Sequence, residues 1–241
     1  MDFYKDKIIF TGGSGRFGNI FKKKYNLKNI IYPSKKQLNI ENYISIKNFL
    51  KKNKPKIIIH AAALSRPMYI HDQNPRLSIK TNIIGTSNLV MAAILFKIKL
   101  IYLSTNYVYP LNKKSNKETD PVLPINNYAT SKMGGECAVQ MHKNSLILRI
   151  CMTEKPFVHK QAYSNFLTSF LYHDEVADII PKIINSEGIL NIGGKPKSLY
   201  KFAKLSNSKV KKVTLKKNNK NYYFKNYTLD ISRLKQILKT I

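Results

Sequence analysis

Acidic residues are scarce in this chain, tryptophan is absent and cysteine occurs twice: 13 Asp and Glu face 42 Lys and Arg over 241 residues, a formal net charge of +29. Cys137 and Cys151 are too few for a disulfide framework and lack metal-ligand spacing, so both read as small buried hydrophobes. The five histidines, His60, His71, His142, His159 and His173, form no recognisable ligand set, and no metal site is expected. No apolar run approaches the roughly 20 residues that cross a bilayer, and Met1–Asp6 opens without the apolar stretch of a signal peptide; a cytoplasmic protein away from the membrane is the expectation. Arginine is scarce too, at Arg16, Arg66, Arg76, Arg149 and Arg233. Readers of bases and phosphates favour the bidentate guanidinium, so a nearly all-lysine surplus, scattered along the chain, argues against a nucleic-acid partner. The densest basic stretch, Lys209–Lys225 with Tyr222, Tyr223 and Phe224 inside it, reads as a solvated segment.

The chain can bury a sizeable core, with 43% hydrophobic residues. Short apolar runs at Lys7–Phe10, Ile30–Tyr32, Lys56–His60, Leu100–Leu103 and Leu146–Ile150 have the character of strands buried on both faces of a parallel sheet. Helical patterns lie between them at Ile44–Asn53, Ile79–Phe96 and Ser131–His142. This alternation implies right-handed crossovers and an α/β, Rossmann-type doubly wound sheet. Beyond Cys151 helices are expected at Asp174–Ile184, Leu199–Lys204 and Ile231–Leu238, with a strand at Gly188–Ile192. The expected organisation is a dinucleotide-binding domain over 1–150 and a small substrate-binding portion over 151–241, partly interleaved with the core.

Two motifs carry chemistry. Gly12, Gly15 and Gly18 follow the first strand and precede the apolar positions Phe17, Ile20 and Phe21. Glycines so placed permit a tight turn, close approach of backbone to a pyrophosphate and a helix start with free N–H groups. An ordinary glycine-rich loop is the plainer alternative. Downstream, Tyr128 and Lys132 stand four residues apart and share a helical face. An ammonium near a phenol lowers the phenol's pKa toward the range of a working general acid; an exposed surface pair is the other reading.

Together these segments resemble the extended short-chain dehydrogenase/reductases. The resemblance runs through Thr11–Gly18, Ala61–Ala63, Asn82–Thr86, Ser104–Tyr109, Tyr128–Lys132 and Asn191–Gly194. Within that family the chain is most similar to the dTDP-4-dehydrorhamnose reductase branch, through Leu103–Tyr109, Lys117–Asp120 with Pro124, Gly134–Glu136 and Leu229–Leu234. The resemblance implies that Tyr128 gives a proton to a carbonyl oxygen as hydride arrives from a nicotinamide, while Lys132 holds ribose hydroxyls. Thr105, at the carboxyl end of its strand, is implied to bond the same substrate oxygen, a strand-end cap being its alternative role. Cofactor contacts are implied for Gly12, Gly15, Arg16, Phe17, Gly18, Ser34, Lys35, Asn39, Ile40, Ala61, Ala62, Ala63 and Ser104, besides Tyr128 and Lys132. Substrate contacts are implied for Ser65, Asn106 and Tyr107, and Asn82 is implied to brace the site from its helix, a satisfied core polar group being the equal alternative.

The expected activity is NAD(P)H-dependent reduction of a 4-keto-6-deoxy nucleotide sugar. Asn106 stands where reductases of this branch usually carry Asp and dehydratases an Asp-Glu pair, which argues against dehydration and leaves the sugar open. A nucleotide-sugar epimerase uses the same Tyr and Lys and remains an alternative. So does a non-catalytic, cofactor-binding regulatory subunit, because that of methionine adenosyltransferase resembles the same branch. A homodimer is compatible with each. After the second strand the chain offers Ser34-Lys35-Lys36 rather than the carboxylate that selects NAD(H), so NADP(H) is the expected preference.

Overall fold

The structure, a computed structural model, describes residues 1–111, 114–214 and 225–240. The first half runs β1 (Ile8–Thr11), α1 (Arg16–Lys24), β2 (Ile30–Ile31), α2 (Tyr43–Asn53), β3 (Ile57–His60), α3 (Ile70–Gln73), α4 (Pro75–Ser78), α5 (Gly85–Leu95) and β4 (Lys99–Thr105). It continues with α6 (Asn127–Gln140), β5 (Ser145–Ile150), β6 (Met152–Thr153), β7 (Gln161–Tyr163), β8 (Phe166–Thr168), β9 (Leu171–Tyr172) and α7 (His173–Ile179). The remaining elements are β10 (Gly188–Ile192), β11 (Lys197–Ser198), α8 (Leu199–Lys204), β12 (Lys211–Val213), β13 (Lys225–Tyr227) and α9 (Ser232–Lys239).

Six strands form one parallel sheet in the order β10-β5-β4-β3-β1-β2. Alternate residues of each strand serve opposite faces. On one face Ile8, Phe10, Ile57, Ile59, Ile101 and Leu103 pack with Phe17 and Phe21 of α1, Val176 of α7 and Leu234 of α9. On the other, Ile9, Ile58, Leu100, Tyr102 and Ile147 pack with Ile46 and Leu50 of α2, Leu89 and Ala93 of α5, and Val139 of α6. Both faces are thus covered, which is why the strands read as continuous apolar runs. The chain moves outward from β1 to β2 and then to the other side through β3, β4, β5 and β10. The order reverses between β1 and β3, and their carboxyl ends, Thr11 and His60, are register partners. Open α/β sheets bind ligands at such a switch point.

Most expected elements stand where the pattern put them, and β10 and α8 match to the residue. Three differ for physical reasons. The helix expected over 79–96 begins as a π-helical turn at Ile79–Ile84 and becomes regular only at Gly85. Inside that turn the Asn82 Oδ1 accepts from the Leu64 N–H at 2.8 Å, and its Nδ2 donates to the Leu64 carbonyl at 2.9 Å and the Ser131 hydroxyl at 2.8 Å. It ties the loop after β3 to α6. The helix expected from Ser131 starts a turn earlier, because the Asn126 side chain caps it by accepting from the Ala129 N–H at 2.8 Å. The helix expected to reach Ile184 tightens into a 3-10 turn from Ile180, where Pro181 has no N–H to give. Cys151 is buried as expected, whereas Cys137 is exposed on α6. Of the basic stretch Lys209–Lys225, residues 215–224, with Tyr222, Tyr223 and Phe224, lie outside the described residues.

A buried ion pair fixes α6 to the sheet. Glu136 and Arg149 keep 1% and 4% of their side-chain surface, and Arg149 donates to the carboxylate through Nη2 at 2.9 Å and Nε at 3.2 Å. The Ser104 hydroxyl, at the end of β4, donates to the same carboxylate. Removing one partner leaves an uncompensated buried charge, whereas replacing both by apolar groups of similar volume is often tolerated. Glu136→Gln is therefore expected to lower stability by about 3–5 kcal/mol in urea unfolding. The double substitution Glu136→Leu/Arg149→Met should cost clearly less than that; equal or additive losses would contradict this reading of the pair.

Candidate active site

The cleft begins where β1 turns into α1. Gly12 has φ of +79°, and a Cβ there would lie 2.6 Å from the Ala62 nitrogen, so glycine alone lets the turn rest on the end of β3. At Gly15, the N-cap of α1, a Cβ would meet only the Gly12 carbonyl, at 3.2 Å. The space in front of the helix start is otherwise open, and no side chain caps the first N–H groups of α1. Gly18 faces the Gly12 carbonyl so closely that any Cβ would collide with it. An open cradle of uncapped N–H groups fits a pyrophosphate, the group a dinucleotide would place there.

Two lobes extend from this loop. Toward β2, a cavity of about 250 Å³ is lined by Lys35, Asn39, Ile40, Glu41 and Ala61–Ala63. Glu41 accepts from the Thr81 hydroxyl at 2.9 Å and meets Lys35 at 3.2 Å and Lys80 at 3.5 Å. Together with the Thr81 bond these lysines hold its carboxyl below the usual range despite its burial. Ser34 turns away to Gln37, its hydroxyl 3.0 Å from Oε1, and does not line the cavity. Toward β4 and α6 the glycine loop, Arg16, Phe17, Ala61, Ala63, Ser65, Ser104, Tyr128 and Lys132 share a second stretch of cleft. Phe17 shows the cleft only its edge, being 6% exposed in the core. Ser104 reaches the cleft with its hydroxyl committed to Glu136.

Beyond Tyr128 the cleft opens into a cavity of about 590 Å³, where Ser65, Thr105, Asn106 and Tyr107 meet Arg66, Met152, Glu154, His159, Phe170 and His173. Tyr128 lines both this cavity and the glycine-loop stretch of the cleft, so it stands at their junction. Thr105 lines the same cavity as the Tyr128 phenol, and its hydroxyl accepts from the Tyr107 N–H at 3.3 Å. The structure shows the strand-cap contact of Thr105.

Electrostatics here differ from expectation in one respect. Burial pushes Tyr128 up to about 12, and the groups that pull it back are Arg16, Arg66 and the Thr105 hydroxyl. Lys132 was the cation expected to do this. The helical spacing does put both on one face, but the Lys132 Nζ lies over the Tyr102 ring, 4.0 Å from its centroid. Burial drops Lys132 itself to about 7, opposed by the carboxylate of Glu136 one turn further along α6. His60 is wedged between the Thr11 hydroxyl at 2.8 Å and the Thr86 hydroxyl at 3.1 Å, and burial lowers it to about 3, so it stays neutral within the sheet. Among the described residues no three His, Cys, Asp or Glu side chains are grouped to hold a metal, and no helix is long and apolar enough to cross a membrane.

Arg66, Glu154, His173 and Glu41 are site residues that spacing did not reveal. Arg66 and Glu154 carried a faint signal, as an arginine among lysines and a carboxylate in an acid-poor chain.

The fold and site have known counterparts. The chain matches 29% of positions over 154 residues with methionine adenosyltransferase 2 subunit beta of Xenopus laevis, covering 60% of this chain and 46% of that protein. It matches dTDP-4-dehydrorhamnose reductase of Aggregatibacter actinomycetemcomitans at 28% over 159 residues, covering 61% and 51%. The chain thus spans about half the length of these curated relatives. Among solved structures, dTDP-4-dehydrorhamnose reductase of Bacillus anthracis, in complex with NADP, superposes with a TM-score of 0.83 at 23% identity over 96% of this chain and 92% of its own. That likeness establishes the Rossmann-type fold. With residues 6–179 matching the model of the RmlD substrate binding domain, the chain belongs to that family.

Proposed function

We propose that the protein is an NAD(P)H-dependent reductase of a keto nucleotide sugar, with a 4-keto-6-deoxy sugar as the preferred substrate. The observation that carries this reading is the position of the Thr105–Tyr128 pair, at the junction between the glycine-loop cleft and a cavity large enough for a sugar nucleotide. Two relatives support the choice of sugar by name, the dTDP-4-dehydrorhamnose reductase above and a GDP-6-deoxy-D-talose 4-dehydrogenase at 29% identity over 134 residues.

Gly12, Gly15 and the start of α1 would hold the dinucleotide's pyrophosphate, Asn39 and Ile40 its adenine, and Lys132 its nicotinamide ribose. Once bound, the nicotinamide supplies hydride. Tyr128 holds the proton: its Oη, raised to about 12 by burial, keeps it at neutral pH and gives it to a carbonyl oxygen acquiring negative charge. Thr105 orients that phenol and offers a second hydrogen bond to the same oxygen. After transfer the phenolate faces Arg16 and Arg66, whose charges favour it. Among the described residues the cavity's only lining carboxylate is Glu154, which fits reduction rather than carboxylate-driven dehydration.

A regulatory role has one observation in its favour, the likeness to methionine adenosyltransferase 2 subunit beta. Retention of Thr105, Tyr128 and Lys132 favours turnover. Incubation with NADPH and a dTDP-4-keto-6-deoxy sugar should consume the reduced cofactor. Inactivity on every keto nucleotide sugar, with a stoichiometric partner recovered by pull-down, would reverse the ranking. Tyr128→Phe should cut turnover by about 100-fold or more while leaving cofactor affinity nearly unchanged, whereas Lys132→Ala should weaken both; near-full activity of Tyr128→Phe would remove Tyr128 from the role of proton donor.

For the cofactor we propose NADP(H) over NAD(H), with Lys35 as the contact to the 2′-phosphate. Lys35 lines the adenosine-side cavity, and its partner Glu41 keeps it there. Dissociation constants should favour NADPH over NADH in the parent protein, and Lys35→Glu/Lys36→Glu should erase that difference by weakening NADPH alone. Equal affinities in the parent would sink the preference.

A further inference from the structure

Two arginines and one glutamate from three distant segments meet at the rim of the larger cavity. Glu154, just after β6, accepts at Oε1 from Arg66 Nη1 at 3.0 Å and sits 3.3 Å from Arg16 Nε, while the Thr153 hydroxyl donates to Oε2 at 3.3 Å. Arg16 also donates from Nη2 to the Ser65 hydroxyl at 3.1 Å. All three charged groups line the cavity that holds Tyr128. Two guanidiniums against one carboxylate leave a positive surplus there, and both histidines of the lining fail to offset it. A chain that meets nearly every need for positive charge with lysine has used two of its five arginines at this one place. The guanidinium fork matches the geometry of phosphate and carboxylate oxygens as an ammonium does not.

The bridge is also poised to exchange. The arginine side chains keep 45% and 39% of their surface and Glu154 keeps 17%. Ion pairs this exposed hold only weakly, so a stronger oxyanion can take the place of Glu154. Arg16 starts α1 and Arg66 sits in the loop after β3, and both line the cavity that Tyr128 also lines, so an anion bound between them shares one cavity with the phenol.

We propose that Arg16 and Arg66 form an oxyanion subsite of the substrate cavity, held in shape by Glu154 until an acidic group of the substrate displaces it. The proposal rests on the reading of this cavity as the sugar-nucleotide side of a reductase. The acidic group is either the nucleotide's diphosphate or a carboxylate on the sugar, and the two are separable by probe.

The test is calorimetric titration of the parent, Arg66→Gln and Glu154→Gln, each with NADPH already bound so that the cofactor's own phosphates are in place. The probes are dTDP, thymidine and glucuronate. In the parent dTDP should bind at least about tenfold more tightly than thymidine; Arg66→Gln should weaken dTDP by about tenfold, and Glu154→Gln, freeing both guanidiniums, should tighten it by a similar factor. The same pattern with glucuronate in place of dTDP assigns the subsite to a sugar carboxylate. Affinities for dTDP and glucuronate that are unchanged in both variants, or weakened in Glu154→Gln, overturn the subsite. Failure of the reductase reading shows separately, as no oxidation of NADPH by the parent protein with any keto nucleotide sugar, whatever the dTDP and glucuronate affinities.

Discussion

The site depends on a carboxylate that water does not reach. Glu136 keeps 1% of its surface, with Arg149 and Ser104 bonding its carboxylate in place of water, and those bonds pin three elements together: α6, the end of β4 and β5. Tyr128, Lys132 and Glu136 fall at successive four-residue steps on α6, so anchoring Glu136 sets the height and rotation at which the phenol meets Thr105. Arg149 extends the network outward, its guanidinium over the Tyr109 ring at 4.8 Å and the Tyr109 hydroxyl donating to Asn191 on β10 at 2.8 Å. Asn191 in turn donates to the carbonyls of Asn116 and Asp230, at 2.8 and 3.1 Å. The helix carrying Tyr128 and the segments from the far end of the chain therefore share one buried polar scaffold. Such networks are costly when half satisfied and specifying when complete.

Acid scarcity acquires a meaning in this setting. Of only 13 acidic side chains against 42 basic ones, two, Glu41 and Glu154, line the cleft and a third, Glu136, is buried behind it. Glu41 pairs with Lys35 at the smaller cavity, Glu136 lies one turn beyond Lys132 on α6, and Glu154 gathers Arg16 and Arg66 at the rim of the larger one. Each carboxylate positions cations that would otherwise repel one another or drift into solvent. The overall charge says little about function here; the local pairing says a good deal.

The sheet was legible because a strand covered on both faces is apolar along its middle, as Ile57–Ile59 and Leu146–Leu148 are. The glycine loop was legible because Gly12 and Gly18 face backbone too closely for any side chain. The short strands β6 to β9 and β11 to β13 were not, since two or three residues carry no period and owe their pairing to partners far along the chain. Spacing placed Tyr128 and Lys132 on one face, but it could not say which way a four-carbon side chain turns. The attraction of the Tyr102 ring decided that. The bridge from Arg66 to Glu154 joins residues 88 positions apart and has no local signature at all.

A crystal structure of the protein with NADPH tests the account most directly. The pyrophosphate is expected against Gly12–Gly18 and the first turn of α1, with Lys132 swung from the Tyr102 ring onto the nicotinamide ribose and the nicotinamide beside Tyr128 and Thr105. NADPH bound elsewhere, or seated in the cleft with its nicotinamide remote from Tyr128 and Lys132 still over Tyr102, would contradict it.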